Sequence, residues 1–598
     1  MTRYVIIGGG AVGATAAAEL HEAGRQVILV ARGSHLDALR TGGLRYVRPG
    51  GVSEIRLAVV GGPDEVELQQ DDVLVVATKS QDTEEVVRAW AWRPVGTSTA
   101  AAALPIVLLQ NGLENERIAL RRFATVFGAV VWIPASHLSP GEVVSPAEPA
   151  AGAFWLGAYP SGTHPRLAEI AEDLADARFH TEIVDDIQRW KAAKLIGNTG
   201  NALDALYRPS ALRSAALRLT RQEAALVLGA PALVPDRIRE VVVIRPIPGH
   251  DRSGSSTWQS LQRGGAPETD YLNGEVSLQA RLSGQTAPYN AALAERVQRA
   301  VAEGVEPGSL DDADLAATLP GLTRRAVLTE PAELHRLLQN GQAPVLLDVR
   351  WALGDTKGHD HYRAGHIPSA VYVDLDTQLA NHDAPATAGR HPLPDIADLQ
   401  EAARSWGVTE HRPVVVYDDN GGTSAARAWW LLRWAGLSDV RILDGAWKAW
   451  QAEGFEIAVG DETAEPGDVE LSAGNLPTLT ADEAAVLADK GVLLDARAAE
   501  RYRGEVEPID PRAGHIPGAR SAPTAANLKD GAFLSTEELR AKYADLDGAD
   551  VGVYCGSGVT AAHEIAALAI AGVDAALFPG SWSAWSSDPE RPVATGPE

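Results

Sequence analysis

The sequence of 598 residues contains a single cysteine, and its basic residues are outnumbered by its acidic ones. One cysteine cannot form an internal disulfide, which fits a reducing compartment. The 53 lysines and arginines against 79 aspartates and glutamates give a net charge of −26. A surface that acidic repels phosphate backbones and anionic lipid, so we expect neither a nucleic-acid nor a membrane partner.

Long apolar runs are also missing, and no segment approaches the length that a bilayer-spanning helix needs. The first residues pass directly into an apolar strand and a glycine turn, without the charged and apolar regions of a secretion signal. We therefore expect a cytoplasmic protein. Its length predicts three to five domains.

The first half alternates short apolar strands with helical stretches. The segment RYVIIG predicts a strand, residues 11–23 predict a helix, and QVILVA predicts a second strand. This alternation is typical of the α/β class, with a parallel sheet covered by helices. From residue 165 to 305 helical periodicity dominates, and residues 306–324 are acidic and turn-rich like a linker.

The second half contains two copies of one pattern. Each copy has an apolar strand ending in aspartate, a Gly-His-Ile-Pro segment, and a second strand followed by a glycine-rich turn. The paired positions are Asp348 with Asp495, His366 with His515, and Asp418 with Cys555. The period is too long for a solenoid and indicates a duplicated domain. We expect the copies at residues 325–458 and 477–598, joined by a linker at 459–476.

Three glycines between the first strand and the first helix form the pattern GxGxxG. The first permits a tight turn, the second lets a pyrophosphate approach the backbone, and the third lets helix and strand pack closely. Arg32 ends the second strand without an acidic neighbour, and a guanidinium there favours the 2′-phosphate of NADP(H). The predicted cofactor contacts in this region are Gly8, Gly10, Ala11, Val12, Gly13 and Arg32.

Polar residues interrupt a later apolar stretch at helical spacing. Lys194, Asn198 and Asn201 share one face of a predicted helix. Because asparagine is a poor helix former, the stripe favours a polar pocket over a solvated helix face. Ser256 and Glu268 follow, ahead of a Tyr-Leu-Asn-Gly turn.

With ATKSQDTEEV, LQNGLENE and PETDYLNGEV in the same order, the first 300 residues or so resemble the ketopantoate reductase family. The resemblance implies an NADP-binding Rossmann domain at 1–164 and a helical substrate domain at 165–305. It implies that Lys194 polarises or protonates the keto oxygen of a 2-keto acid and that Glu268 orients the site or completes a proton relay. The other implied contacts are Lys79 and Asn111 at the nicotinamide and substrate, and Asn198, Asn201 and Ser256 at the substrate.

Two departures from that family leave the substrate open. The asparagines at 198 and 201 are three residues apart, where well-known members have four, and Ser260 stands where an aspartate is frequent. The reaction class is unaffected by either change.

The single cysteine lies between an apolar strand and a helix. Backbone N–H groups and the helix dipole at such a junction stabilise a thiolate relative to its usual pKa of about 8.5. Gly556 and Gly558 let the loop amides converge on the sulfur. The first copy has Asp418 at this position, so the scaffold does not need a thiol to fold.

From about Thr323 onward the sequence resembles the tandem rhodanese family of thiosulfate and mercaptopyruvate sulfurtransferases. The motifs that carry the resemblance are LLDVR, AGHIPSA, AGHIPGA and the loop CGSGVT. The resemblance implies two doubly wound α/β domains, the first non-catalytic and the second bearing Cys555 as nucleophile. The small, neutral loop resembles the 3-mercaptopyruvate type. The implied donor contacts are Arg501, Arg512, Gly556, Gly558, Val559 and Thr560.

The rhodanese resemblance also implies a proton relay through Ser557, His366 and Asp355. His366 has an alternative interpretation as a structural histidine of the Gly-His-Ile-Pro segment, because His515 repeats it.

Three functions are compatible with these patterns. The first is a 3-mercaptopyruvate sulfurtransferase fused to an NADPH-dependent 2-keto acid reductase, with a thiol acceptor such as a thioredoxin-like protein and no metal. The second is a thiosulfate sulfurtransferase whose N-terminal half binds NADP(H) without turnover. The third is a non-catalytic persulfide carrier or interaction protein. Lys194 with Glu268 favours the first over the second, and Cys555 with Arg501 argues against the third.

Overall fold

The computed structural model describes residues 2–97, 99–230, 236–250, 254–381 and 383–597. The chain divides into two compact units, the first formed by residues 1–209 and 216–320 and the second by residues 210–215 and 321–598. None of the described helices combines the length and the apolar character that crossing a bilayer requires.

The first unit is built on an eight-stranded sheet. In space the strands follow the order β8-β7-β6-β5-β4-β1-β2-β3, and all neighbours are parallel except β6 and β7. The strands are β1 Arg3–Ile7, β2 Gln26–Val30, β3 Ala58–Val60, β4 Asp72–Val76, β5 Pro105–Leu108, β6 Thr125–Trp132, β7 Gly152–Ala158 and β8 Phe179–Ile183. The short strands outside this sheet are Leu44–Arg48, Gly51–Ile55, Pro94–Val95, Thr99–Ala100, Glu142–Val144, Ala147–Pro149 and Val242–Ile244.

Two expected boundaries differ from the structure. A helix does begin at Pro165, but the strand β8 follows it and still pairs with β7 in the main sheet, so the uninterrupted helical region begins only at Ile187. The stretch 306–324 is not a free linker, since it contains the helix Asp312–Thr318. The guanidinium of Arg296 holds this helix through the carboxylate of Asp314 at 3.0 Å.

Helices cover both faces of the main sheet and then form the helical part beyond it. Between residues 1 and 320 the helices are Ala11–Glu22, Gly33–Gly42, Thr83–Ala91, Asn115–Leu120, Pro165–Asp176, Ile187–Asn198, Asn201–Leu206, Ala211–Leu228, Asp236–Val241, Ser256–Gln262, Asn273–Leu282, Pro288–Glu303 and Asp312–Thr318. Buried Val, Ile and Leu residues of β1, β2 and β4 contribute to the cores on both sides of the sheet, and alanines of the helix Ala11–Glu22 pack against one side.

The second unit contains two parallel sheets of the same design, as the repeat predicted. The first copy has the order β9-β13-β12-β10-β11 and the second the order β15-β14-β16-β17. Thr478 forms a single bridge beside β17, where the first copy has a further strand beside β13. The strands are β9 Leu328–Thr329, β10 Val345–Asp348, β11 Ala370–Tyr372, β12 Val414–Tyr417, β13 Val440–Leu443, β14 Val492–Asp495, β15 Arg520–Ser521, β16 Val551–Tyr554 and β17 Ala576–Leu577. Outside the two sheets, Leu528–Lys529 pairs with Ala532–Phe533.

The two copies share one apolar core. The helices Thr423–Trp434 and Val559–Ala571, which follow β12 and β16, pack against each other and contribute most of their residues to it. The helices of this unit are Leu322–Val327, Pro331–Gln339, Gly358–Ala364, Leu375–Gln378, Ile396–Ser405, Thr423–Trp434, Ala446–Ala452, Ala481–Lys490, Ala499–Tyr502, Thr536–Lys542, Val559–Ala571 and Ser581–Ser587. The predicted α/β fold class is confirmed for both halves of the chain.

Candidate active sites

The glycine motif of the first unit forms an open cradle at the carboxyl end of β1. Gly8 has φ of +119°, and a Cβ atom there would lie 2.8 Å from the backbone of Ala77. A Cβ atom on Gly13 would lie 2.0 Å from the carbonyl oxygen of Gly8, so only glycine lets the helix pack this closely. A Cβ atom on Gly10 would meet nothing within 4 Å. The space at Gly10, at the N-terminus of the helix beginning with Ala11 and Val12, fits a pyrophosphate.

Arg32 lies at the end of β2, as the sequence indicated. Its side chain is 69% exposed and 3.6 Å from the carboxylate of Glu85. The guanidinium therefore remains accessible to a ligand that lies along the cradle.

Glu268 comes from the helical part and lies against the turn after β4. Its carboxylate is 6% exposed and accepts hydrogen bonds from Lys79 Nζ at 2.8 Å and from the backbone N–H of Ser80 at 2.9 Å. The side chain of Glu268 thereby fixes the Lys79 ammonium beside the loop that carries Asn111.

Lys194 and Asn111 form the second polar contact of this site. Lys194 Nζ donates to Asn111 Oδ1 at 2.8 Å and to the carbonyl of Val131 at 2.5 Å, and Asn198 Nδ2 donates to the same Asn111 oxygen at 3.3 Å. The three polar side chains line a small cavity of about 10 Å³. Burial, together with the nearby Lys191 ammonium, lowers the pKa of Lys194 to about 8, although the Glu268 carboxylate acts in the opposite direction. This ammonium can both stabilise a developing oxyanion and release a proton near neutral pH.

The predicted single helix carrying Lys194, Asn198 and Asn201 is divided in two. One helix ends at Asn198 and the next begins at Asn201, with Thr199 and Gly200 between them. Asn201 Nδ2 instead donates to Ser256 Oγ at 3.3 Å. The structure therefore joins Lys194, Asn198 and Asn111 in one cluster and Asn201 with Ser256 in another.

A buried ion pair behind Lys194 is absent from the sequence predictions. Lys191 and Glu116 are 3% and 0% exposed and pair directly. Lys191 lies three residues before Lys194 on the same helix, and a lysine in an apolar helical stretch was the available signal.

Cys555 lies at the end of β16, directly before the helix Val559–Ala571. Its side chain is buried, and the N–H of Gly558 donates to Sγ at 3.1 Å. Gly558 has φ of +84°, a left-handed conformation that glycine adopts without strain. The sulfur therefore lies next to the Gly558 amide at the N-terminal end of this helix.

The corresponding loop of the first copy is closed on its own carboxylate. The buried carboxylate of Asp418 accepts four backbone N–H groups at 2.8 to 3.0 Å, and the donors are Asn420, Gly422, Ser424 and Ala425. Burial nevertheless raises the pKa of Asp418 above its ordinary value.

A pocket of about 290 Å³ lies over the Cys555 loop and is lined by both copies. The second copy contributes Arg501, Ser557, Val559 and Thr560 among others. The first copy contributes Trp351, Leu353 and Arg390. Of the predicted donor contacts, Arg501, Gly556, Val559 and Thr560 line this pocket, and Gly558 lies beneath it.

Arg512 does not lie in this pocket, which corrects its predicted role. Its guanidinium donates to the carbonyl groups of Trp585, Ser586, Asp588 and Arg591 at 2.5 to 3.0 Å. Arg512 therefore satisfies the orphan carbonyls at the end of the last helix.

Ser557 meets a different histidine from the predicted one. His391 Nδ1 lies 2.7 Å from Ser557 Oγ, and His391 Nε2 lies 3.2 Å from Asp376 Oδ1. Because the carboxylate can only accept, Nε2 carries the proton and Ser557 donates its hydroxyl hydrogen to Nδ1. Burial, followed by the neighbouring Arg427 charge, lowers the pKa of His391 to about 4, so the imidazole is neutral near pH 7.

His366 and Asp355 are not brought to Ser557. His366 is buried, its Nδ1 contacts the carbonyl of Tyr362 at 3.0 Å, and its ring stacks on the Tyr362 ring at 4.1 Å. His515 repeats this arrangement on Tyr502 in the second copy. Asp355 is exposed and lies 3.2 Å from Nε2 of His361 in the following helix. These contacts favour the structural interpretation of His366.

A buried arginine connects the two loops that carry His391 and Cys555. Arg427, from the helix after β12, donates to the carbonyls of His391 at 3.0 Å and Gly558 at 3.4 Å. Burial lowers its pKa to about 10, and the proximity of Cys555 acts in the opposite direction. The sequence offered no signal for Arg427 or His391, because their partners Gly558 and Ser557 lie more than 120 residues away along the chain.

Comparison with known families matches both halves of the chain. The family described as "Ketopantoate reductase PanE/ApbA" matches residues 4–161, and "Ketopantoate reductase PanE/ApbA C terminal" matches residues 186–301. The family described as "Rhodanese-like domain" matches twice, at residues 330–453 and 480–588.

Two bacterial proteins are similar to the second half. A "Putative thiosulfate sulfurtransferase SseB" of Mycobacterium tuberculosis is 50% identical over 282 residues, covering 46% of this chain and 98% of that protein. A "Probable 3-mercaptopyruvate sulfurtransferase" of Pseudomonas aeruginosa is 47% identical over 264 residues, covering 42% of this chain and 92% of that protein. Among solved structures, a PanE/ApbA family ketopantoate reductase from Ralstonia eutropha JMP134 is 27% identical with a TM-score of 0.42, covering 50% of this chain and 99% of that one.

Proposed function

Since this chain belongs to the tandem rhodanese sulfurtransferases by its second half and carries ketopantoate reductase domains in its first, we propose a bifunctional enzyme. The second half transfers sulfur from 3-mercaptopyruvate to a thiol acceptor through a persulfide on Cys555. The observation that carries this proposal is the Cys555 sulfur, held by the Gly558 N–H at a helix N-terminus under an arginine-lined pocket.

The proposed sulfur transfer begins at the Cys555 thiolate. Ser557 donates its own proton to His391, so its oxygen lone pairs face the donor and can accept the proton of the donor thiol. The thiolate forms a bond to the donor sulfur, the carbon–sulfur bond breaks, and its electron pair leaves on the pyruvate enolate. The relayed proton returns to the enolate carbon, which yields pyruvate and a cysteine persulfide.

The loop amides then stabilise the persulfide anion in the same way as the thiolate. An acceptor thiol, small or thioredoxin-like, attacks the outer sulfur and restores the Cys555 thiolate. We place this activity in the cytoplasm, where acceptor thiols remain reduced.

The donor assignment rests on the neutral loop residues Gly556 and Ser557. A higher kcat/KM for 3-mercaptopyruvate than for thiosulfate is expected, and the reverse order would overturn the assignment. The alternative is a thiosulfate sulfurtransferase with a non-catalytic NADP(H)-binding half. Its support is the M. tuberculosis relative, which is named a thiosulfate sulfurtransferase.

For the first half we propose NADPH-dependent reduction of a 2-keto acid. Gly8, Gly10 and Gly13 would hold the pyrophosphate and Arg32 the 2′-phosphate, and bound NADPH would supply the hydride. Lys194, with its pKa lowered to about 8, donates a proton to the keto oxygen, and Asn111 fixes the Lys194 ammonium in place. Glu268 holds Lys79, as its two hydrogen bonds indicate.

One preparation assayed for both reactions tests the proposal. Wild-type protein should oxidise NADPH with a 2-keto acid such as ketopantoate, and Lys194→Ala should lower that kcat by about 10²- to 10⁴-fold. The same variant should transfer sulfur normally, whereas Cys555→Ser should lose sulfur transfer and keep NADPH oxidation. No NADPH binding or oxidation with any 2-keto acid would refute the reductase assignment.

A further inference from the structure

The pocket over Cys555 contains an arginine from the other copy. Arg390 lies in the segment before the helix Ile396–Ser405 of the first copy, and its guanidinium reaches the second copy. A Cβ atom on Gly556 would lie 3.1 Å from Arg390 Nη2. Arg390 Nε is buried and has no hydrogen-bond partner among the described residues.

Arg501 reaches the same point from the second copy. Its Nη1 would lie 3.5 Å from the same Cβ position on Gly556. Its Nη2 donates to Glu507 at 2.6 Å and to Asp510 at 3.2 Å. One edge of the guanidinium is therefore anchored, and Nη1 is directed to the loop beside Cys555.

Asp510 orients both arginines. Its carboxylate, 3% exposed, pairs with Arg390 through one oxygen and with Arg501 through the other. Glu507 also pairs with Arg497, whose other partner is Asp495. The cluster thus contains three cationic and three anionic groups and has no net charge. Within it, Nη2 of Arg390 and Nη1 of Arg501 are the donors nearest to Gly556.

We propose that Arg390 and Arg501 together bind the single carboxylate of the sulfur donor, and of the keto acid product, above Gly556. This inference deepens the proposed sulfurtransferase function and rests on it. Planar N–H donors from two guanidinium groups match the two oxygens of a carboxylate. Arg390 is thus a binding residue supplied by the non-catalytic copy, and Asp510 is a positioning residue.

This arrangement supplies the second cation that Arg512 cannot provide, because Arg512 is committed to the last helix. It also favours glycine at position 556, since a side chain there would contact the guanidinium groups and occupy the carboxylate position.

Steady-state kinetics of the full chain test the proposal. Arg390→Leu should raise the KM for 3-mercaptopyruvate about tenfold to a hundredfold, the range expected for a lost charge-assisted hydrogen bond. The kcat should change less than about threefold, because the arginine binds the carboxylate and not the reacting sulfur. Arg390→Lys should give an intermediate KM, and Asp510→Asn should raise the KM less than Arg390→Leu does.

Arg503→Leu is the matched control, because Arg503 lies two residues from Arg501 and pairs only with Glu505 among the described residues. Its KM should equal that of the wild type. An unchanged KM in Arg390→Leu overturns the proposal. Should the parent protein fail to turn over 3-mercaptopyruvate, the proposed function fails, and calorimetric binding of pyruvate to Cys555→Ser decides the inference separately. Absent pyruvate binding, or binding that survives Arg390→Leu, overturns it.

Discussion

The loops that follow β12 and β16 occupy equivalent places in the two rhodanese copies and surround different groups. In the first copy four backbone N–H groups bind the carboxylate of Asp418. In the second copy the N–H of Gly558 contacts the sulfur of Cys555, and the loop borders a pocket. Equivalent loops thus surround a carboxylate with four N–H groups in one copy and place a single N–H against a thiol in the other.

The comparison also shows that the first copy contributes to the site of the second. Arg427 and His391 belong to the first copy, and both contact the Cys555 loop. The first copy, which has no cysteine, therefore still supplies side chains that contact the Cys555 loop of the second copy.

The largest expected effect comes from making the second loop like the first. Cys555→Asp should abolish sulfur transfer, because the carboxylate cannot accept a sulfur atom. It should leave the melting temperature unchanged or higher, because the loop amides can bind the new carboxylate as they do Asp418. Sulfur transfer and thermal unfolding are measured beside Cys555→Ser. Residual transfer above that of Cys555→Ser would contradict the nucleophile assignment.

Removal of the relay histidine should have the next largest effect. His391→Gln should lower the kcat for 3-mercaptopyruvate by about 10²-fold, because Ser557 loses its proton acceptor. His366→Gln is the control and should lower stability with little change in kcat. If His366→Gln lowered the kcat more than His391→Gln, the originally predicted relay would be restored.

Replacing Asp418 in the first copy should lower the stability of the protein and leave sulfur transfer largely unchanged. Asp418→Ala leaves four buried N–H groups without their acceptor and should lower the free energy of unfolding by about 2 to 4 kcal/mol. Urea unfolding measures this loss, with the exposed neighbour Asp419→Ala as the matched control. Equal stability of the two variants would mean that the loop amides do not depend on the carboxylate.

The smallest effect concerns pH. The pKa of His391 is about 4 in the folded protein, against an ordinary value of about 6.5, so as pH falls the unfolded chain takes up this proton at a higher pH than the folded protein does. The free energy of unfolding should therefore fall as pH drops from about 6.5 to 4, by up to about 1.4 kcal/mol per pH unit from this residue. His391→Gln should show a shallower slope over that range, measured by urea unfolding at each pH. His563, with its pKa also lowered to about 4 by burial, supplies the same contribution in both proteins.

Local sequence patterns predicted much of the architecture correctly. The glycine spacing placed the cradle between β1 and the first helix, and the repeat placed Cys555 opposite Asp418. These features depend on neighbours within a few residues along the chain. The predicted helix carrying Lys194, Asn198 and Asn201 is divided at Thr199 and Gly200, and Asn201 contacts Ser256 instead of Asn111.

The sequence by itself determined the two families, the α/β fold and the identity of the single thiol, because short motifs encode strands, turns and helix starts. Only the tertiary structure decided which cations and which histidine surround that thiol. Arg390 and His391 contact partners that lie 120 and 166 residues away along the chain. Arg512, which is much closer to Cys555 in sequence, instead donates to carbonyl groups at the end of the last helix. A side chain's partner depends on how distant segments pack, and motif spacing does not record that packing.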